Sequence, residues 1–178
     1  MLLTETYKAQ LVAKHRESPT WGTTAARHAD LVRRVINDYR PADVLDYGCG
    51  KQTLARALAP LRIRGYDPGL PGLEAQPTPA DLVVCIDVLE HIEPDCIYDV
   101  LDDLERVTRE IGYFVVDTHP AIHTLPDGRN AHLIVQPLEW WLSKIMVRFK
   151  LAQLHNDPND LGFAVLVRAK KPKGNGAS

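Results

Sequence analysis

The sequence predicts a doubly wound α/β domain: a mostly parallel sheet with helices on both faces, finished at one edge by an antiparallel hairpin. Three observations predict it. Strand-like segments at 44–46, 62–66, 81–86 and 113–116 are separated by helix-period or turn-rich segments, the alternation expected of parallel strands joined by crossovers. The first run ends in Asp46-Tyr47-Gly48-Cys49-Gly50, a glycine turn of the kind that lets a backbone take positive φ and approach a ligand closely. Finally, residues 147–154 and 163–169 alternate apolar and polar positions around a turn-rich stretch at 155–160, the signature of a hairpin.

Taken in order, residues 2–18 predict a polar helix stopped by Ser18-Pro19, because proline pushes the preceding residue out of α geometry. A second helix over 25–39 carries Leu31, Val32, Val35, Ile36 and Tyr39 at helical spacing; Trp21 reads as a hydrophobic staple ahead of it and His28 as a surface residue, the alternative being that the two form a lid over a bound ligand. The glycine turn leads into a helix over 52–61, then a strand ending at Asp67-Pro68. Pro71, Gly72, Pro77 and Pro79 break residues 69–80 too often for a further helix and strand, so the unit reads as trimmed there.

In the segment 81–86, every residue after Asp81 is apolar, as a central strand buried on both faces requires. Pro94 suits a first helical position, and Ile97, Val100, Leu101, Leu104 and Val107 give the next helix an apolar stripe up to Glu110. A strand at 113–117 precedes a polar loop over 121–138, and a helix over 138–146 bearing Trp140 and Trp141 should close that loop. The chain divides into N-terminal helices (1–40), a core (42–170) within one domain spanning 1–170, and a basic tail at 171–178 expected to be disordered.

With 178 residues, one core can form without disulfide or metal staples. A net charge of −2 supplies no global attraction to nucleic acid or acidic membranes. Cys49, Cys85 and Cys96 are odd in number and lack C-x-x-C spacing, so they read as reduced thiols. With no signal-like amino terminus and no apolar run of spanning length, the expectation is a cytoplasmic protein. No metal is expected: the spacing His119-x-x-x-His123 signals zinc mainly on a helix, and Pro120 disfavours helix there.

Spacing narrows the ligand of the glycine turn. Lys51-Gln52 lacks the Ser/Thr of a P-loop, and Thr53 stands where a dinucleotide fingerprint has its third glycine. What remains is Asp46-x-Gly48-x-Gly50-x-Gln52, an acid at the end of the following strand, Asp67, and the segment Asp87-Val88-Leu89-Glu90-His91 after the central strand. In these residues the chain resembles the class I S-adenosylmethionine (SAM)-dependent methyltransferases, over roughly 42–170, with Gln52 replacing the last glycine of the family's turn. The resemblance implies a Rossmann-like sheet, SAM as cofactor and S-adenosylhomocysteine (SAH) as product. It also implies that Asp67 accepts hydrogen bonds from the ribose hydroxyls, that Asp46, Gly48, Gly50 and Gln52 surround the methionine part, and that Asp87 and Val88, with His91, line the methionine side and the floor of the acceptor cavity.

Methyl transfer is an in-line displacement, so alignment and exclusion of water dominate, and a base is needed only when the nucleophile must lose a proton. His91, His119, His123 and His132 all fall at strand ends, and histidine titrates near neutrality. His91, His123 and His132 are the catalytic candidates, although packing or capping explains His91 equally well. Asp127, Arg129 and Asn130 are the substrate-binding candidates, Arg129 because its planar fork suits an anionic group.

The sequence has neither the Asn/Asp-Pro-Pro-Tyr/Phe motif of base-amino methylation nor the Pro-Cys of cytosine-carbon methylation, and no basic stripe with interleaved aromatics. The expected acceptor is therefore a small molecule with an oxygen or nitrogen nucleophile, with no duplex nucleic acid and no membrane as partner; oligomeric state is open. The alternative is a non-catalytic SAM- or nucleotide-binding module or partner subunit.

Overall fold

A computed structural model describes residues 1–156 and 162–170. Helix α1 (Glu5–Glu17) is capped by Thr4, whose hydroxyl accepts from the Tyr7 N–H at 3.2 Å, satisfying one of the free donors of a helix start. A 3₁₀ turn at Thr24–His28 leads into α2 (Ala29–Tyr39), which ends at Arg40 in the left-handed region. Next come β1 (Val44–Tyr47), a short α3 (Thr53–Ala57), β2 (Ile63–Tyr66) and β3 (Ala80–Ile86). The second half contains α4 (Ile97–Val107), β4 (Thr108–Asp117), α5 (Leu138–Arg148), β5 (Phe149–Asn156) and β6 (Gly162–Ala169).

The six strands form one sheet in the order β2-β1-β3-β4-β6-β5. The first four are parallel, and β6 runs antiparallel to both β4 and β5. Because the chain winds outward from β1 in one direction and from β3 in the other, the order reverses between these two strands. Ligands of open α/β sheets bind at that reversal, outside the strands' carboxyl ends.

Alternation within β3 explains the two-sided core. Leu82, Val84 and Ile86 pack with Val32 of α2 and Leu54 of α3, whereas Val83 and Cys85 face the α4–α5 side. The predicted stripe of α4 is buried there, and each such aliphatic side chain contributes about 1.5–3 kcal/mol when fully buried. A third, smaller cluster lies apart: Tyr7, Leu125 and Ala131, with Leu11, Trp21 and Leu133 around them. It joins α1 to the loop after β4. No described helix is long and apolar enough to cross a membrane, and all three cysteines are free and buried.

Several boundaries differ from the sequence reading. The helix expected over 52–61 is only α3, because a turn at 58–60 and Pro60 stop it. Pro94 opens a separate 3₁₀ turn rather than α4 itself, and α4 ends at Val107 instead of Glu110. Strand β4 begins five residues early, since Thr108 and Ile111, buried on either side of the exposed Arg109 and Glu110, pair in register with Ala80 and Leu82 of β3. The hairpin turn at 157–161 and the tail at 171–178 lie outside the described residues.

Candidate active site

The glycine turn is held by β2. Gly48 and Cys49 both donate their N–H to the carbonyl of Tyr66, at 2.7 and 3.0 Å. Gly48 has φ +77°, and a Cβ built on it would lie 2.3 Å from Val88 Cγ2, so Val88 reaches the turn only because residue 48 has no side chain. Gly50 has φ +47°, and its Cβ would lie 2.4 Å from the carbonyl oxygen of Gly22. The close approach expected of a ligand at Gly50 is made here by the chain itself. Gln52 occupies the family's last glycine position and takes φ +56°, the left-handed geometry a glycine adopts without strain.

Two carboxyl groups stand at the ends of neighbouring strands. Asp67 is buried; one oxygen accepts from the Gly50 N–H and the other from the Gly69 N–H, each at 2.9 Å. Asp46 is almost wholly buried and its Oδ2 has no hydrogen-bond partner. Burial, and then the charge of Asp67, push the Asp46 carboxyl up to about 7. Among the described residues neither acid belongs to an ion pair.

Across the sheet reversal, Asp87 follows β3 with φ +59°, its N–H donated to Val115 at 3.1 Å. The next residues form a 3₁₀ turn at Leu89–His91. Glu90 in this turn is fully buried and anchors two segments: its Oε1 accepts from the Asp117 N–H at 2.7 Å, and its carbonyl accepts from Ile134 at 3.0 Å. Burial and the Asp87 charge push its carboxyl well above the usual range. The sequence reading passed over Glu90; the only signal was its place inside the Asp87–His91 segment.

His91 donates from Nδ1 to the carbonyl of Ala131 at 2.8 Å, and its Nε2 lies 3.9 Å from Asp87 Oδ1. His132, also buried, donates from Nδ1 to the carbonyl of His119 at 2.5 Å. The two rings meet edge to face, 4.7 Å between centroids. Burial, the leading cause, holds His91 below its ordinary pKa, so it is neutral at pH 7. His123 is exposed and only flanks the group, 6.3 Å from Trp21.

Trp21, expected as a staple of α2, instead faces His91 at 5.1 Å and His15 at 6.5 Å, so it roofs the histidines. Helix α1, whose role the sequence left open, lies across the same end of the sheet. Tyr7 donates to the carbonyl of His91 at 2.6 Å, Leu11 sits against Gly69, and Lys14 donates to the carbonyl of Thr124 at 2.8 Å.

The three substrate candidates are not gathered around the histidines. Asn130 uses its amide within the loop: Oδ1 accepts from Ala121 and His132, both at 2.9 Å, and Nδ2 donates to Ala121 at 2.8 Å. Asp127 is bound by Arg129 at 2.7 Å and by Gln10 of α1 at 2.9 Å, which holds its carboxyl below the usual range. Arg129 borders a separate cleft of about 290 Å³ with Met1, Thr4, Glu93 and Asp99. Trp141 is wholly buried in the core, and Trp140 lies under Lys144, so neither forms part of a mobile cover.

Comparison with known proteins bears on this geometry. Residues 20–166 match the family model described as a methyltransferase domain. No curated protein matches the chain. Among solved structures it is similar to the N-methyltransferase NodS from Bradyrhizobium japonicum WM9, crystallised with SAH: 16% identity, 94% of this chain and 100% of that one covered, TM-score 0.65. It is also similar to the 1,6-didemethyltoxoflavin-N1-methyltransferase from Burkholderia thailandensis, crystallised with 1,6-didemethyltoxoflavin and SAH, at 18% identity, 92% and 87% coverage and TM-score 0.66. The magnesium protoporphyrin IX methyltransferase of Synechocystis PCC 6803, with SAH, matches at 18% identity, 81% coverage of both chains and TM-score 0.58. At these identities the likeness concerns the fold.

Proposed function

The chain belongs to the methyltransferase-domain family, and from that premise we propose that it binds SAM at the β1–β3 reversal and transfers its methyl group to a small-molecule acceptor. One observation carries the reading: two buried carboxyls, Asp46 and Asp67, face the glycine turn without a cationic partner among the described residues. Buried acids are normally paired, so an orphaned Asp46 oxygen next to a second acid fits a ligand that brings positive charge and hydroxyl donors. SAM carries a sulfonium, an ammonium and a ribose diol, and when bound it supplies the electrophilic methyl. That similar folds are crystallised with SAH supports the same choice.

Each residue then has a task. Asp67, pinned by two backbone N–H groups, keeps lone pairs for the ribose hydroxyls. Asp46 and the turn Gly48–Gly50–Gln52 take the methionine end, with Val88 and Asp87 closing the side opposite. On the acceptor side, His91 presents a neutral imidazole whose Nδ1–H is committed to Ala131, which leaves the Nε2 lone pair to accept the proton of an oxygen or nitrogen nucleophile. His132 buttresses that ring, and His123 stands at the rim with Trp21, which excludes water. Arg129 has donors beyond those Asp127 takes, so an anionic group on the acceptor can be held at the loop, while Asn130 keeps the loop's shape.

The test is a methyl-release assay over a panel of small hydroxylated, amino and carboxylated metabolites, run beside calorimetric titration with SAM and SAH. Turnover on any member supports the reading. Cofactor binding with no turnover across the panel would instead identify a non-catalytic binding module.

A further inference from the structure

Asp87, His91 and His132 reach one point from three segments: the turn after β3, the 3₁₀ turn behind it, and the loop before α5. One ligand atom from each lies within 4.8 Å of the other two. We propose that these three side chains form a binding site for a divalent transition ion of the zinc class. The sequence reading expected no metal because no ligand pair on one helix was available; the set here is assembled by tertiary contact, across 45 residues.

The hydrogen bonds of the two rings fix where their protons lie. Ala131 and His119 offer carbonyl oxygens, which only accept, so in both rings Nδ1 must bear the proton. In a neutral imidazole Nε2 is then a bare lone pair, and both rings are fixed in orientation. Metal-bound histidines are held in this way almost without exception, the far N–H given to a carbonyl or carboxylate. These two Nε2 lone pairs and the Asp87 carboxylate oxygen, 3.9 Å from that of His91, are poorly satisfied by each other, since none brings a proton.

A cation resolves this. Around tetrahedral zinc at 2.0–2.1 Å, ligand atoms lie roughly 3.3 Å apart, so the cluster must contract by about 1.5 Å at its widest, within reach of side-chain rotation. Two imidazoles favour zinc, cobalt or nickel over magnesium or calcium, which select oxygen. Three protein ligands leave a coordination position open, as in catalytic rather than structural sites. The Asp87 and His91 side chains are 29% and 16% exposed, so an entry path exists.

The site shares only Asp87 with the proposed cofactor pocket. With an ion bound, His91 Nε2 is no longer a proton acceptor, and the open position would meet the acceptor's heteroatom instead.

The experiment uses the full chain without a histidine tag, stripped with EDTA and titrated with cobalt(II), followed by visible absorption and by competition with zinc. One cobalt per chain, with d–d bands stronger than those of the aquo ion and bleached by zinc, is the expected result. His132→Gln and Asp87→Asn should each raise the cobalt Kd at least about tenfold, while His155→Gln on distant β5 leaves it unchanged. Bands no stronger than the aquo ion's, or equal binding in all three variants, would overturn the proposal. SAH titration of the same stripped protein keeps the two readings apart: SAH binding without cobalt binding removes only the metal site, and cobalt binding without SAH binding removes only the cofactor reading. Circular dichroism of each variant identifies any that fails to fold, and the remaining ligand variant then decides.

Discussion

The methyl groups of Val88 lie where the side chain of residue 48 would begin: a Cβ on Gly48 would stand 2.3 Å from Val88 Cγ2. This contact locks the turn after β1 to the turn after β3, the two segments that border the sheet reversal. Gly48→Ala would add left-handed strain to a steric clash, a loss on the order of 2–4 kcal/mol. Chemical denaturation should therefore move the midpoint down without changing the slope, and cofactor affinity should fall with it. A variant as stable as the wild type would mean that Val88 is free to move away.

Asp46 makes stability depend on pH. Its carboxyl titrates at about 7 in the folded chain against an ordinary 3.8. The folded state thus keeps a proton that the unfolded chain releases. Its stabilising contribution is complete below about pH 3.8 and is lost as pH rises towards 7, a swing on the order of 4 kcal/mol. Asp46→Asn removes that dependence, so the variant should gain on the wild type between pH 4 and 7 in thermal unfolding of the unliganded protein. Parallel curves for the two proteins would show that Asp46 is charged throughout.

His91 separates chemistry from binding. In EDTA-treated protein, His91→Asn keeps a donor for the Ala131 carbonyl but has no basic nitrogen. Turnover with a hydroxyl or protonated-amine acceptor should drop about 10²–10⁴-fold, with SAH affinity nearly unchanged. Loss of both to the same degree would make His91 a packing residue of the Trp21–His132 cluster.

Local signals were legible and long-range ones were not. The glycine turn, Asp67 and the Asp87–His91 segment each announce themselves within a few residues, because strand-end acids and glycines are demanded by backbone geometry. Gln52 was visible as a departure, but its φ of +56° was not: the turn keeps its path and the side chain accepts the strain. The start of β4 was hidden because Thr108, Arg109 and Glu110 are polar, and only pairing with β3 makes them a strand. Helix α1 has no clear apolar stripe, so nothing local foretold that Tyr7 and Leu11 would cover the site. The meeting of His91 with His132 depends on Asn130 folding the loop back through Ala121, a bond between residues whose types allow many partners. The same fold turns the Asn130 amide into the loop and pairs Arg129 with Asp127, neither of which composition shows.

We propose that the chain holds SAM against Asp67 at the reversal between β1 and β3. The most direct measurement is calorimetric titration of SAH into the wild type and Asp67→Asn, with thermal unfolding confirming that both are folded. Asparagine keeps an oxygen for one backbone N–H but removes the charge, and a lost charge-assisted bond is worth about 1.5–3 kcal/mol. One site per chain is expected, with an affinity at least about tenfold weaker in the variant. No binding to the wild type, or equal affinity in both proteins, would contradict it.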